Sequence, residues 1–334
     1  MRAPAFWWER PGVASALLSP LAAVYGGIAA RRLARDGSRA GIPVICVGNP
    51  TVGGAGKTPA AIAVARLLIA AGERPMFLTR GYGGRLAGPV TVEPSHTAAD
   101  VGDEPPLLAR IAPTIVARDR VAGARHARNA GASVIVMDDG FQNPALAKDL
   151  SILVIDGARG IGNAHVVPAG PLRAPLAPQL DRAQAILIVG GVTGAAPIVI
   201  AARQRNLALF HGDLEPDEAA ITALKRNKVL AFAGIGDPEK FFATLAAAGI
   251  DAPVRRGFPD HHRYRADEAA ALTAEAERNH LALLTTEKDL ARLRGDGSVA
   301  KLAARAHALP VDLRVTEVEA FSRLLLGAAR AAGA

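Results

Sequence analysis

Between Thr51 and Thr58 the chain reads Thr-Val-Gly-Gly-Ala-Gly-Lys-Thr. A β-branched apolar run, Val44-Ile45-Cys46-Val47, precedes it, and a helix-compatible stretch from Pro59 to Ala71 follows. Strand, glycine-rich turn and helix form the context of a phosphate-binding P-loop. Glycines let backbone N–H groups approach phosphate oxygens, and the helix N-terminus adds partial positive charge there. On this reading Thr51, Val52, Gly53, Gly54, Ala55, Gly56, Lys57 and Thr58 hold ATP. Lys57 reaches the β- and γ-phosphates, and the Thr58 hydroxyl ligates Mg²⁺. The match is a variant, because the strict pattern has glycine where this chain has Thr51. The competing reading is a glycine-rich strand–helix turn with no nucleotide.

At 334 residues the chain has room for two domains, each with its own core. Half of it is hydrophobic and only 4% aromatic, which suits helix-covered parallel sheets better than a β-sandwich. Strand-like runs recur at Met76–Thr79, Thr114–Ala117, Val134–Met137, Ile152–Ile155, Ala185–Val189 and Ile198–Ile200. Polar residues become common from Arg203 to Arg226, and a second alternating series follows: Val229–Gly236, a helix from Pro238 to Ala248, Leu281–Thr286, Val311–Val315 and a final Ala/Leu helix. The expected fold class is therefore α/β: a P-loop NTPase-like parallel-sheet domain over 36–205, a smaller α/β domain over 206–334, and an N-terminal amphipathic membrane helix within 1–35. The single cysteine, Cys46, forms neither an internal disulfide nor a cysteine zinc site, which points to a reducing compartment. The net charge of +8 suits nucleic acid, an anionic membrane or a phosphorylated substrate. With no RNA-binding aromatic motif and no zinc-finger spacing, nucleic acid ranks last. The residues call for no obligate protein partner.

The N-terminal segment places Trp7 and Trp8 before an apolar stretch from Gly12 to Ala30, with Arg31, Arg32 and Arg35 after it. Tryptophan favours the membrane–water interface, and arginines bind anionic headgroups. The length approaches a full span, but Pro20, Gly26 and Gly27 interrupt the stretch. The reading is a helix embedded in one leaflet of a membrane surface, set against a signal peptide or a helix packed on the protein's own core.

Acids end two of the segments. Val134–Met137 runs into Asp138-Asp139, the apolar strand and acid of a Walker B element. One acid holds Mg²⁺ and the other supports it, in an order the sequence leaves open. Asp103 and Glu104 open a short helix, either as dipole-complementing caps or as reactive groups. Glycine-rich loops carry Arg80 and Arg85, and Pro168 to Arg173; Arg173 reaches phosphates or is simply solvated. His261 and His262 adjoin in a polar loop, where consecutive residues rarely ligate one ion.

Taken together, eight stretches resemble the tetraacyldisaccharide 4'-kinases of lipid A biosynthesis: Gly48–Pro59, Thr79–Gly84, Gly102–Pro105, Asp138–Gln142, Pro168–Arg173, Ala231–Gly236, Phe258–His262 and Thr286–Asp289. The resemblance spans nearly the whole chain and implies γ-phosphoryl transfer from ATP to the 4'-hydroxyl of an acylated glucosamine disaccharide 1-phosphate lipid. It further implies docking on the cytoplasmic face of the bacterial inner membrane. The implied catalytic set is Asp103 as base, His261 as its partner across a cleft, and Lys57, Arg120 and Arg173 on phosphates, with Thr58, Asp138 and Asp139 around the metal. Two positions depart from the family pattern: Asn143 replaces its histidine and Ala174 its glutamate. The alternative is a membrane-associated regulatory ATPase of the partitioning or cell-division type. That class needs a lysine where this chain has Val52, and it lacks a second parallel sheet.

Overall fold

The structure, a computed structural model, describes residues 3–331. Its strands are β1 (Val44–Gly48), β2 (Pro75–Thr79), β3 (Val90–Thr91), β4 (Thr114–Val116), β5 (Val134–Asp138), β6 (Leu150–Asp156), β7 (Ala185–Val189), β8 (Ala208–Pro216), β9 (Val229–Ala233), β10 (Val254–Gly257), β11 (Ala282–Thr286), β12 (Ala306–Leu309) and β13 (Val311–Val315). They form a nine-stranded sheet, β13-β8-β7-β6-β1-β5-β2-β4-β3, and a four-stranded sheet, β10-β9-β11-β12. The large sheet is parallel except at its two edges, where β3 and β13 run antiparallel to their neighbours.

Alternation along β1 explains why its sequence is apolar throughout. Val44 and Cys46 enter the core on one face, Ile45 and Val47 the core on the other, and all four are buried. The chain runs from β1 through β2, β4 and β5 on one side, then crosses to β6, β7 and β8 on the other. The carboxyl end of β1 lies at this reversal, where open α/β sheets form their ligand crevices. The small sheet has its own two cores, around Phe232 and Leu283 on one face and Ala231 and Leu284 on the other.

The expected boundary at 205/206 does not follow the sheets. β8 lies beyond it yet extends the large sheet, and β13 leaves the small sheet to pair with β8 from Val311↔Pro216 to Val315↔Gly212. The terminal helix Val318–Ala331 then lays Phe321, Leu325 and Ala329 into the core that holds Ile45 and Val47. Residues from β9 to β12 are thus an insertion between two strands of the large sheet. β8 would otherwise be an open edge, and the short β13, with only Leu313 buried, covers it. The outermost residues of the expected segments, 1–2 and 332–334, lie outside the described residues.

The N-terminal helix Val13–Leu33 continues through Pro20, Gly26 and Gly27 instead of breaking there. Ser15, Ala22 and Gly26 face inward, and small side chains let the helix lie against Pro175 and Val166. Val13, Leu17, Leu21, Val24 and Ile28 stand exposed on the outside, 55–77% accessible. Trp7 departs from the interfacial role expected of it. Trp7 is buried and its indole donates to the carbonyl of Pro168 at 3.0 Å, while the Arg159 guanidinium sits 5.0 Å over the Trp8 ring. Each ring finds a polar or cationic partner in the 159–168 loop, which holds it on the protein.

Candidate active site

The glycine-rich loop joins β1 to the helix Lys57–Ala70. Gly53 and Gly56 take φ of +111° and +85°, a left-handed region that would strain a side chain. Buried Asn49 donates to the carbonyls of Thr51 at 2.6 Å and Gly53 at 3.3 Å. From the other side, the Val52 N–H donates to Pro171 O at 2.8 Å and Arg173 Nε to Thr51 O at 3.0 Å. The loop's shape is thereby set by the Gly-Pro loop as well as by its own glycines. Neither Asn49 nor Pro171 was assigned a role in the sequence.

β5 pairs with β1 in the register Val47↔Asp138, which brings both acids beside this loop. Asp139 takes a left-handed backbone, φ 55°, so the two carboxylates diverge. Asp138 is buried; its Oδ2 accepts from the Thr58 hydroxyl at 3.1 Å, and its Oδ1 has no partner. Burial, then the charges of Asp139 and Glu104, push its carboxyl up to about 6. A buried acceptor with no donor, next to a hydroxyl, fits a hard divalent cation. Asp139 instead meets Arg173 at 2.9 Å and Lys57 at 3.8 Å. Burial draws the Lys57 ammonium below its ordinary value, against the opposing pull of Asp139. Arg120 is also buried, bonded to the Ala117 carbonyl with its Nε unpartnered, and burial lowers it to about 10. Among the described residues it makes no ion pair.

Glu104 occupies the N-cap position of its helix without a side-chain capping bond, and the side chains of Asp103 and Glu104 both reach the small sheet's elements. Asp103 Oδ2 accepts from His261 Nδ1 at 2.7 Å and from Arg292 Nε at 2.6 Å, and Glu104 pairs with Lys288 at 3.1 Å. Burial alone would raise the Asp103 carboxyl, but hydrogen bonds and charge from His261 and Arg292 outweigh it and hold it low. The same bond raises His261. His261 has φ of 56°, and a left-handed residue turns the two histidines apart. His262 instead bonds Glu268 at 2.8 Å and stacks on Phe258. Among the described residues no group of three or more His, Cys, Asp or Glu is placed to hold a metal.

The two halves of the site share one cleft. A Cβ built on Gly236, in the turn after β9, would lie 3.3 Å from the Gly54 nitrogen, so the small unit sits against the glycine-rich loop. Sequence reading missed Arg292, Lys288 and Glu104 as partners. The signal for Glu104 and Lys288 was their charge within Gly-Asp-Glu-Pro and Thr-Glu-Lys-Asp, which says nothing of pairing across 184 positions, and Arg292 lies outside both motifs. The departures fill structural places: Asn143 Oδ1 accepts from the Ala145 N–H at 2.9 Å, and Ala174 is fully buried.

A family model, tetraacyldisaccharide-1-P 4'-kinase, matches residues 14–330. The chain belongs to the tetraacyldisaccharide 4'-kinase family. Among its relatives, the tetraacyldisaccharide 4'-kinase of Rhodopseudomonas palustris (strain BisB18) is 54% identical over 96% of this chain and 94% of its own. That of Methylobacterium sp. (strain 4-46) is 55% identical over 93% and 95%. A crystal structure of LpxK from Aquifex aeolicus, described as an "apo" form in complex with ATP, superposes with a TM-score of 0.73 at 27% identity, covering 94% of this chain and 99% of that one. Kinase membership over nearly the full length displaces the partitioning-type ATPase as a reading.

Proposed function

We propose that this 4'-kinase family member transfers the ATP γ-phosphoryl group directly, in line, to the 4'-hydroxyl of a tetraacyldisaccharide 1-phosphate, giving lipid IVA. The observation that carries the reading is the meeting of Asp103 and His261 at 2.7 Å across the cleft that also holds the glycine-rich loop. Residues Thr51 to Thr58 act as the P-loop. Their N–H groups and Lys57 bind the β- and γ-phosphates, and the Arg173 guanidinium faces the charge that spreads over the γ-oxygens. Arg120, with a free Nε, backs the same phosphates. Thr58 and Asp138 would hold Mg²⁺, which when bound would offset phosphate charge. Asp139 supports them by fixing Lys57 and Arg173.

The hydroxyl needs a base within hydrogen-bond reach. Asp103 Oδ1, which makes no hydrogen bond among the described residues, accepts that proton as the acceptor oxygen bonds to phosphorus. The bond from γ-phosphorus to the bridging oxygen breaks, and ADP leaves. His261 keeps the carboxylate oriented. The exposed stripe of the N-terminal helix enters the cytoplasmic leaflet of the inner membrane, and the exposed Arg31, Arg32 and Arg35 meet its headgroups. The test is Lys57→Ala in a lipid phosphorylation assay. A folded variant should lose roughly 10²–10³-fold or more in kcat, by analogy with removal of a single charge-stabilising donor. Near wild-type turnover would remove the P-loop assignment.

A further inference from the structure

Arg292 is a buried cation of the cleft, with its side chain 6% accessible, and none of the motifs singled out in the sequence includes it. It lies on the helix Glu287–Arg294 of the small unit. Its Nη1 donates to the Gly234 carbonyl at 2.8 Å and to Asp289 Oδ1 at 2.5 Å. Asp289 is itself fully buried and saturated: Oδ2 accepts from the Gly234 N–H and the Thr286 hydroxyl, and Oδ1 from the Tyr264 hydroxyl. This platform leaves the guanidinium little freedom, and Nε points across the cleft to Asp103. Oδ2 of Asp103 therefore takes two donors from two separate elements of the small unit, a loop and a helix. Oδ1 takes none among the described residues.

We propose that Arg292 is a positioning residue for the transfer base: from the small unit it pins Asp103 by Oδ2, so that Oδ1 alone faces the acceptor hydroxyl, and only while the two units are together. This rests on the reading of Asp103 as base. A carboxylate held by one donor can swing about that bond; one held by two in fixed directions cannot, and orientation within a fraction of an ångström decides proton-transfer efficiency. An arginine suits the task because its planar fork binds Asp289, Gly234 and Asp103 at once, which a lysine cannot do.

The charges around Asp103 determine how a variant behaves with pH. His261 and Arg292 face it directly. Glu104 adjoins it but is paired with Lys288, Asp260 stands beside the far side of His261, and Asp289 and Tyr264 lie behind Arg292. Removing the guanidinium takes away a cation and a donor while the neighbouring acids remain, so the Asp103 carboxyl moves up. The acid limb of kcat then shifts to higher pH.

The experiment measures kcat, KM for ATP and the pH profile of kcat for Arg292→Gln and Arg292→Lys, each with a thermal melt. Arg292→Gln should lower kcat by roughly 10–100-fold, leave the KM for ATP within about twofold, and move the acid limb upward. Arg292→Lys, which keeps the charge, should hold the limb near the wild-type position without regaining full kcat. Should Arg292→Gln fail to fold because Asp289 is left unpaired, the Asp289→Asn/Arg292→Gln pair neutralises both partners and carries the same expectations. In an Asp103→Asn background, Arg292→Gln should add almost nothing. A folded variant with wild-type kcat and an unmoved limb overturns the proposal, as does a full further loss in the Asp103→Asn background. An active Asp103→Asn overturns the base assignment itself, an outcome distinct from failure of Arg292 alone.

Discussion

Asp103 and His261 belong to different sheets, so their coupling tests whether the cleft works as one site. The perturbation is a double-mutant cycle of Asp103→Ala and His261→Ala. A positioned base contributes roughly 10²–10⁴-fold to such a step. Loss of Asp103 removes the acceptor altogether and should cost roughly 10³-fold in kcat, about 4 kcal/mol. Loss of His261 leaves Asp103 held by Arg292 at 2.6 Å, so it should cost less, roughly 10²-fold or about 3 kcal/mol. Independent roles would multiply to roughly 10⁵-fold. With His261 acting only through Asp103, the double variant should match Asp103→Ala, an interaction energy of about 3 kcal/mol. The assay is kcat at saturating lipid and ATP, with melts to confirm folding. Multiplicative losses would refute the cross-cleft unit.

Asp138→Asn should raise the melting temperature of the nucleotide-free protein at about pH 8 while abolishing transfer. Its carboxyl lies at about 6, above the ordinary 3.8, so the ionised form carries a folding cost of order 2–3 kcal/mol that is present above pH 6 and absent below the ordinary value. The gain in melts should therefore shrink toward pH 4, and equal gains at both pH values would contradict the assignment. Leu17→Glu/Leu21→Glu should release the protein from vesicles containing anionic lipid without lowering its melting temperature, because both side chains are more than 60% exposed. Trp7→Ala should instead cost about 3–5 kcal/mol in melts, as for other buried aromatics; an unchanged melt would return Trp7 to the lipid.

The parts legible in the sequence were those written in consecutive residues. The Val44–Thr58 strand and loop carry their own turn chemistry, and an apolar strand ending in Asp138-Asp139 needs only the parallel sheet to bring it alongside. What was not legible depends on which surface a segment meets. Val311-Asp312-Leu313-Arg314-Val315 has the alternation of a half-buried strand in either sheet, and only the open edge of β8 decides that it joins the large one. Trp7 and Trp8 look interfacial by type, but the 159–168 loop supplies the carbonyl and the guanidinium they pair with. Arg292 lies 189 positions from Asp103, and no local pattern announces that contact.

The central claim is transfer to one hydroxyl of a lipid acceptor. It is tested most directly with γ-radiolabelled ATP, Mg²⁺ and the protein in detergent micelles, offering tetraacyldisaccharide 1-phosphate or its 4'-deoxy analogue. The account predicts label in the lipid fraction with the first, none with the second, and little ATP consumed in the absence of acceptor. ATP consumption independent of lipid, or label on the 4'-deoxy analogue, would contradict it.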